Sequence, residues 1–313
     1  MAHRLSPTPA QSVSPGQAGI ALIGFGETAQ AFAAAWGADA ARVRAYDRKT
    51  DCPNAREPKL GDYRRLGIAG KRSAAEALSG AKVVLSMVWP DQALPAAMEY
   101  ADLLGAGALW LDLNSVAPDT KRAAAAEIEA AGGRYVDVAV PAPVAGHGLA
   151  VPLLVSGPHA AAAASTLGAI GFQHIDIVPG AVGAAAAILL IRSVMVKGME
   201  ALTTECLLAA EAAGVRGEVV ASLNAGWPGV DWGECANLNL ERIMAYSLRH
   251  SSEMDEVVKT LDTLGTGSTM TRGTVERQRT MGAVGFGPAL SLQHKLGALL
   301  RTTRLAKSRA TGT

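Results

Sequence analysis

Small residues and one carboxylate are spaced, early in the chain, in a way suited to binding phosphate and ribose groups. Gly24, Gly26 and Ala29 follow the apolar run IALI and open an alanine-rich segment. The first glycine permits a tight turn, and the second has no Cβ to hold a pyrophosphate away from the N–H groups of the following helix. Asp47 ends the next apolar run, VRAY, about twenty residues after the turn, where a carboxylate binds a ribose hydroxyl. The pattern predicts a dinucleotide site. The residues predicted to contact the cofactor are Gly24, Phe25, Gly26, Glu27, Thr28, Ala29, Asp47, Arg48, Met87, Val88, Trp89 and Asn114.

The choice between NAD and NADP depends on three adjacent residues. Asp47 repels a 2′-phosphate and favours NAD. Arg48 and Lys49 follow at once and can pair with that phosphate, which favours NADP, unless they lie in a solvated loop. The balance favours NAD weakly, and NADP stays open.

Strand-like and helix-like segments alternate through the first half of the chain. Continuous apolar strands separated by alanine-rich helices predict an α/β fold with a doubly wound, parallel sheet. The polar segment 50–70, which contains Pro53, Pro58 and several arginines, is predicted to be mostly loop. Ligands bind such sheets beyond the carboxyl ends of the strands. The residues predicted to lie there are Met87, Val88, Trp89, Asn114, Ser115 and the segment 141–146.

A long stretch near residue 200 separates this alternation from sequence that is helical throughout. It contains no proline, is rich in alanine, leucine and methionine, and ends at Gly214. One helix of that length is too long for a single compact domain, so it is predicted to join two domains. The predicted division is a disordered tail at 1–18, a dinucleotide-binding domain at 19–180, an interdomain helix at 181–213 and an all-helical domain at 214–313.

Composition excludes some classes of function. The 313 residues carry a net charge of +1, which offers no electrostatic reason for binding nucleic acid. Cys52, Cys206 and Cys235 are far apart and lack metal-ligand spacing, which predicts no metal site and a reducing compartment, the cytoplasm. The apolar run 181–191 is broken by Arg192 well short of about 20 residues, so no membrane span is expected.

Several motifs in order carry a family resemblance. They are GFGETA, VVLSMVWP, DLNSVAP, VDVAVPAPVAGHG, LLVSGP and KGMEAL. The chain resembles the β-hydroxyacid dehydrogenases, which include 3-hydroxyisobutyrate and 6-phosphogluconate dehydrogenases. It resembles more closely a 6-phosphogluconate-dehydrogenase-like branch with its own C-terminal helical domain. The likeness covers about residues 20–300. It implies an N-terminal Rossmann domain, a helical domain for substrate and dimerisation, and a homodimer. The implied function is hydride transfer between NAD(P) and a small polar substrate, a hydroxy acid or its phosphate.

The resemblance also implies substrate-binding residues. Ser115 matches the family serine that binds the acid group of the substrate; the alternative is that it only caps the next helix. The family's Ser-Gly-Gly turn falls on Pro141, Ala142 and Pro143. Because proline has no N–H, this turn cannot bind an anion in the same way. The predicted substrate-binding residues are Asn114, Ser115, Pro141, Ala142 and Leu189.

The family's catalytic lysine falls on Leu189, and its polar partner one turn later falls on Ser193. Lys197 lies eight residues beyond Leu189, about 12 Å along and about 80° around the helix. It cannot simply replace the missing group, and it can instead pair with Glu200 at i+3. Arg192 shares the Leu189 face and suits a carboxylate or phosphate, or else a salt bridge to the first domain. The predicted catalytic residues are Lys197, Ser193 and Arg192.

Three functional outcomes stay open because leucine cannot donate a proton. In the first, another group acts as the acid, and the candidates are Lys197, Tyr246, His250 and His294, although lone histidines are usually structural. In the second, the substrate is a protonated imine, which needs no strong acid; imine reductases related to the family also lack the lysine. In the third, the protein binds NAD(P) without catalysis.

Overall fold

The structure is a computed structural model of the chain and describes residues 19–282 and 291–311. The tail predicted at 1–18 lies outside the described residues. Contacts divide the chain into two compact units, Met1–Leu189 and Leu190–Thr313. The finer division into segments 19–180, 181–213 and 214–313 stays a prediction.

The described part of the first unit contains one eight-stranded sheet. Its strands are β1 (Ile20–Ile23), β2 (Arg44–Tyr46), β3 (Ala69–Gly70), β4 (Val83–Ser86), β5 (Leu109–Asp112), β6 (Arg134–Ala139), β7 (Pro152–Ser156) and β8 (His174–Ile177). They are ordered β3-β2-β1-β4-β5-β6-β7-β8, and β1 to β6 pair in parallel. The order reverses between β1 and β4, which is where such sheets bind ligands. The predicted α/β, doubly wound fold is confirmed.

Two strands, β7 and β8, depart from the predicted parallel arrangement. Strand β7 runs antiparallel to β6, and β8 is parallel to β7. A parallel crossover usually has a helix of its own. The connection 140–151 contains only the 3-10 turn Gly148–Ala150, so the chain returns beside β6 in the opposite direction.

Helices cover both faces of the sheet. They are α1 (Glu27–Trp36), α2 (Pro53–Arg65), α3 (Ala74–Leu78), α4 (Ala93–Tyr100), α5 (Pro118–Ala130) and α6 (Ala160–Ala169). Alternate residues of β1 enter two separate cores: Ile20 and Leu22 pack with α1 and α6, whereas Ala21 and Ile23 pack with α3, α4 and α5. Both faces are therefore apolar, which explains the continuous apolar strands.

Helix α2 occupies a segment that was predicted to be mostly loop, and that prediction is wrong. Pro53 stands in the first turn, where its missing N–H costs nothing, although Pro58 lies inside the helix. Lys59 and Tyr63, one turn apart, are buried. The Tyr63 ring packs 4.8 Å from the ring of Phe25, so tertiary packing outweighs the poor local propensity.

The long helix α7 spans Ala184–Ala213, three residues shorter at its start than predicted. The other helices of the second unit are α8 (Arg216–Gly226), α9 (Trp232–Leu264), α10 (Thr269–Gly282) and α11 (Leu292–Thr311). Helix α9 begins at an Asp231 cap and ends at Gly265 in the left-handed conformation. Within residues 19–282 and 291–311, no helix has both the length and the apolar character needed to cross a membrane.

Candidate functional site

The turn after β1 needs a glycine at its first position and leaves open space at its third. Gly24 has φ +86°, and a Cβ there would lie 2.3 Å from the carbonyl oxygen of Met87. A Cβ at Gly26 would have no atom within 4 Å. Gly24 is thus required by close packing, whereas the space above Gly26 is available to a ligand.

Asp47 holds this turn against the end of β2. Its Oδ2 accepts a hydrogen bond from the N–H of Phe25 (2.8 Å), and its Oδ1 accepts one from the N–H of Lys49 (2.9 Å). The N–H of Gly24 donates to the carbonyl oxygen of Tyr46 at 2.9 Å. The carboxylate is therefore fixed in position, and its remaining lone pairs can accept from a ribose hydroxyl.

Helix α1 begins directly after this turn and has no side-chain cap. Gly26 is its N-cap residue, and Glu27 and Thr28 lie in its first turn. Uncapped N–H groups at a helix start attract anions. Ala29 is fully buried against the sheet, where a larger side chain would push the helix away. The residues of the turn therefore fit the pyrophosphate and ribose of a dinucleotide.

A cleft at the carboxyl ends of β1, β2 and β4 surrounds the turn. Its lining residues are Ile23, Gly24, Gly26, Tyr46, Asp47, Arg48, Lys49, Met87, Val88, Trp89, Gln92, Ala96 and Tyr100. Seven of the predicted cofactor contacts are among them. Phe25 and Ala29 are buried behind the turn, and Asn114 lies beyond the lining.

Two tyrosines form part of the cleft wall that the sequence interpretation missed. The rings of Tyr46 and Tyr100 pack edge to face at 6.2 Å, and the Tyr46 hydroxyl donates to Asp51 Oδ2 at 2.5 Å. Burial, together with the Asp51 carboxylate, raises the pKa of Tyr46 well above its ordinary value, so its hydroxyl stays a donor. Tyr46 directly precedes Asp47 at the end of β2. That position in the sequence could have predicted that Tyr46 lines the cleft.

Arg48 turns toward helix α4. Its guanidinium lies 3.6 Å from Glu99 Oε2, and it donates to Gln92 Oε1 at 3.3 Å. Lys49 is exposed. Both cations stand at the cleft, and Arg48 is already engaged by neighbouring polar groups.

Asn114 ties the ends of two strands together. Its Oδ1 accepts from the N–H of Val88 (2.7 Å), and its Nδ2 donates to Asp112 Oδ1 (2.7 Å) and to Ser86 Oγ (3.2 Å). The side chain is buried. Asn114 thereby positions the cleft residue Val88, and its amide groups already have protein partners.

Ser115 is half-buried just before α5. The N-cap residue of α5 is Ala117, and no side chain caps the helix. The alternative that Ser115 serves only as this cap is therefore wrong. Pro141 and Ala142 are half-buried in the connection after β6.

Leu189 lies in a small apolar cluster at the end of the first unit. It packs with Ala139 and Ala185, and Leu154 and Val178 border the cluster. Only 9% of Leu189 is exposed. The position that the resemblance assigns to a catalytic lysine is therefore apolar in its surroundings as well as in its own side chain.

Lys197 forms an ion pair with Glu253 on α9, so the predicted pairing with Glu200 is wrong. Arg249 lies 3.5 Å from the same carboxylate. Burial tends to raise the pKa of Glu253, but Lys197, His250 and Arg249 outweigh it and hold that pKa below its ordinary value. Residue spacing favoured Glu200 as the partner of Lys197 because residues at i and i+3 are neighbours on a helix. The packing of α7 against α9 instead brings Glu253 to Lys197.

Glu200 has other partners. Its Oε2 lies 3.4 Å from His250 Nδ1 and accepts from Gln278 Nε2 on α10 at 3.4 Å. The Tyr246 ring lies 5.7 Å from the His250 ring and is tilted by 37° to it. His250 is thus embedded in a buried polar cluster, while His294 Nδ1 contacts Ser291 Oγ at the start of α11.

The remaining predicted catalytic residues differ in exposure. Ser193 is buried, with 5% of its surface exposed. Arg192 is exposed and forms no ion pair with a described residue of its own unit. Across residues 19–282 and 291–311, no group of three or more His, Cys, Asp or Glu is arranged to hold a metal ion.

A buried charge network that the sequence interpretation missed lies at the start of α7. Lys121 Nζ is 3.1 Å from Asp112 Oδ1 and 3.3 Å from Asp137 Oδ1. Asp137 Oδ2 accepts from the N–H groups of Gly183 (3.1 Å) and Ala186 (3.0 Å), and so caps α7. These two hydrogen bonds lie at the first turn of α7, which begins at Ala184.

Comparison with protein families matches two parts of the chain. Residues 19–173 match the NAD binding domain of 6-phosphogluconate dehydrogenase. Residues 210–281 match a domain of unknown function (DUF1932). No curated protein matches the chain significantly.

Solved structures extend the likeness over nearly the whole chain. A conserved hypothetical protein from Sinorhizobium meliloti 1021 is 35% identical, with a TM-score of 0.68 over 90% of this chain and 96% of that one. The 3-hydroxyisobutyrate dehydrogenase of Mycobacterium tuberculosis is 18% identical, with a TM-score of 0.67 over 91% and 98%. The imine reductase from Myxococcus stipitatus, in complex with NADP⁺, is 19% identical, with a TM-score of 0.51 over 92% and 99%. The last two share the fold. The predicted resemblance is therefore confirmed in its domains: the chain joins an NAD binding domain of the 6-phosphogluconate dehydrogenase type to a C-terminal DUF1932 domain, and it belongs to one family with the Sinorhizobium meliloti protein.

Proposed function

We propose that this protein is an NAD(P)-dependent oxidoreductase that transfers a hydride between the nicotinamide cofactor and a small polar substrate, a hydroxy acid or its phosphate. The observation that carries the proposal is the glycine turn. Gly26 leaves open space above an uncapped helix start, and Asp47 is fixed beside it. This arrangement suits a dinucleotide in a domain whose family binds NAD.

The preferred cofactor in this proposal is NAD. The Asp47 carboxylate is held by two backbone N–H groups, so it cannot easily swing away from a 2′-phosphate. Arg48 is drawn toward Glu99 and Gln92. Titration of NADH and NADPH, followed by fluorescence or calorimetry, tests this. Tighter binding of NADPH would reverse the preference, and binding of neither below millimolar concentrations would refute dinucleotide binding.

The chemistry requires a proton donor or acceptor at the substrate oxygen, while the nicotinamide, when bound, supplies or accepts the hydride. Leu189 cannot do this, and Lys197 is paired with Glu253. We assign Arg192 to an anionic group of the substrate and Ser193 to its hydroxyl, and Lys197 stays the candidate acid. Turnover unchanged in Lys197→Ala would exclude that last role.

Substrate contacts on the first unit are assigned to Ser115 and to the turn at Pro141 and Ala142. Ser115 does not cap α5, so its hydroxyl is available for an acid group. Ser115→Ala is expected to raise KM for the substrate about tenfold, with little change in cofactor affinity. An equal loss of NADH binding would place Ser115 at the cofactor instead.

Imine reduction is a second candidate, and the apolar surroundings of Leu189 favour it. A protonated imine already carries positive charge and accepts hydride without a strong acid. Hydroxy acids, their phosphates and cyclic imines should be screened for NAD(P)H-linked turnover, with Leu189→Lys in parallel. A gain on 3-hydroxy acids in that variant supports the assignment of this position. Dinucleotide binding without turnover on any of these substrates would favour a non-catalytic NAD(P)-binding protein.

We also propose a homodimer. Ile191, Met195 and Leu202 lie on one face of α7 and are 47%, 68% and 58% exposed, and helix α8 buries none of its residues. Such apolar surface is typical of an interface. Light scattering should give twice the chain mass for the protein, and Met195→Glu should shift it toward the monomer. A monomeric wild-type protein at micromolar concentration would contradict the proposal.

We also propose a cytoplasmic location, on the basis of the free cysteines. Cys52, Cys206 and Cys235 are free, and Cys52 is exposed. An exposed thiol suits a reducing environment, so we assign the protein to the cytoplasm.

A further inference from the structure

Lys59 on α2 is buried behind the glycine turn and does not line the cleft. Only 6% of its surface is exposed. Its Nζ donates to the carbonyl oxygen of Phe25 at 2.7 Å and lies 3.0 Å from Asp62 Oδ2. A buried lysine whose shortest contact is a backbone carbonyl of a ligand-binding turn calls for a physical reason, because burying an ammonium group costs free energy.

The direction of one peptide group supplies that reason. In a planar trans peptide, the C=O and the next N–H point in opposite directions. The Phe25 carbonyl is held from behind by Lys59 and, at 3.3 Å, by Gln30 Nε2. The Gly26 N–H must therefore point away from Lys59, toward the side on which Gly26 lines the cleft.

Three other backbone groups of the turn already have partners. The N–H of Gly24 bonds to Tyr46, the N–H of Phe25 bonds to Asp47, and the Gly26 carbonyl accepts from Gln30. Within the described ranges, no hydrogen bond uses the Gly26 N–H. That group is left for an anion.

Two cations share the Asp62 carboxylate next to Lys59. Asp62 neutralises one cation, but both Lys59 and Arg65 pair with it, at 3.0 and 2.8 Å. Burial tends to raise the pKa of Asp62, and hydrogen bonds from Arg65 and Lys59 outweigh this and lower it. Asp62 therefore shares its single negative charge between two cations, Lys59 and Arg65.

We propose that Lys59 is a positioning residue for the cofactor: it orients the Phe25–Gly26 peptide so that the Gly26 N–H faces the pyrophosphate. Lys59 acts through the turn and does not touch the cofactor. This inference rests on the dinucleotide binding proposed above.

The test compares Lys59→Met with Lys82→Met in the full-length protein. Methionine is close to lysine in length and lacks both the donor and the charge. Lys82 is an exposed lysine directly before β4, at the amino end of that strand and so at the end opposite the cleft; its variant therefore controls for the loss of one positive charge. We expect Lys59→Met to weaken NADH binding about tenfold or more, and Lys82→Met to change it less than about twofold.

Amide hydrogen exchange in the cofactor-free protein gives a second readout. Lys59→Met should accelerate exchange across residues 24–29 without accelerating it in β4 and β5. Unchanged exchange in the turn, or NADH binding within about twofold of wild type, overturns the proposal. If the wild type binds neither NADH nor NADPH, the function proposed above fails, and the exchange result still decides whether Lys59 holds the turn.

Asp62→Asn keeps the inference testable if Lys59→Met does not fold. Asp62 is partly exposed and orients the Lys59 ammonium, so this milder variant should loosen the same amides and weaken NADH binding less than Lys59→Met. Acceleration throughout the sheet, rather than in the turn, would overturn the positioning role.

Discussion

Two buried lysines, one in each unit, contact carboxylates and differ in what surrounds them. Lys121 in the first unit lies between Asp112 and Asp137, and all three side chains are fully buried. Lys197 in the second unit pairs with Glu253, and these side chains are 11% and 15% exposed.

The groups around each lysine determine how much its removal should destabilise the protein. Lys121 is the cation shared by the carboxylates of Asp112 and Asp137. The N–H groups of Gly183 and Ala186, at the start of α7, also donate to Asp137 and stabilise its negative charge. Glu253, in contrast, has both Lys197 and Arg249. Removing Lys121 leaves the buried carboxylates without their cation. Removing Lys197 leaves Glu253 with a second cation, Arg249. A buried lysine is therefore not by itself a sign of catalysis.

Lys121→Met should have the largest effect. It leaves two carboxylates buried without their cation, so the free energy of unfolding should fall by about 3–5 kcal/mol. Urea denaturation measures this, with the exposed Lys82→Met as the control. A fall as small as that of the control would show that the network tolerates the loss, and the contrast between the lysines would disappear.

Lys197→Met should lower the free energy of unfolding by about 1–2 kcal/mol, since Arg249 remains beside Glu253. The same denaturation experiment compares it directly with Lys121→Met. A loss equal to that of Lys121→Met would mean that Arg249 offers no compensation.

Ser156→Ala removes one hydroxyl that contacts Asp137 in the Lys121 network. The free energy of unfolding should fall by about 1 kcal/mol. Ser156 Oγ donates to Asp137 Oδ2 at 2.9 Å and accepts from the N–H of Ala185 at 3.1 Å. Hydrogen exchange should accelerate in the first turn of α7 and stay unchanged in α9. Acceleration in α9 alone would contradict the assignment of Ser156 as a capping residue.

The smallest effect concerns pH and Glu253. Its pKa in the folded protein lies below the ordinary value of 4.5, so its contribution to stability is present above that value and is lost as pH falls through the lowered pKa. The stability difference between wild type and Glu253→Gln should stay constant near neutral pH and shrink below 4.5. Glu218→Gln, at an exposed position on α8, is the control. A difference that grows with acidity would contradict the lowered pKa.

The fold and the glycine turn were predictable because their causes are local. Gly24 must adopt a positive φ, Ala29 must be small, and apolar runs of four residues alternate with alanine-rich helices. Helix α2 escaped prediction because its stability comes from packing the Tyr63 ring against Phe25, which outweighs the local signal of Pro58.

The partners of charged side chains were predictable only where they were near in sequence. Glu200 was expected for Lys197 because it is three residues away, but the observed partner, Glu253, is 56 residues away on another helix. Lys59 reaches Phe25 across 34 positions. The spacing of residue types along the sequence does not indicate pairs so far apart in the chain.

Residue type and spacing along one stretch of chain were enough to predict the α/β class, the glycine turn after β1 and the absence of a lysine at position 189. Tertiary structure alone decided that Asp137 contacts the first turn of α7, that Lys197 pairs with Glu253, and that Lys59 lies behind the turn. The physical reason is that a buried charge takes whichever partner packing brings within hydrogen-bonding distance, and that distance is set by how elements far apart in the chain meet.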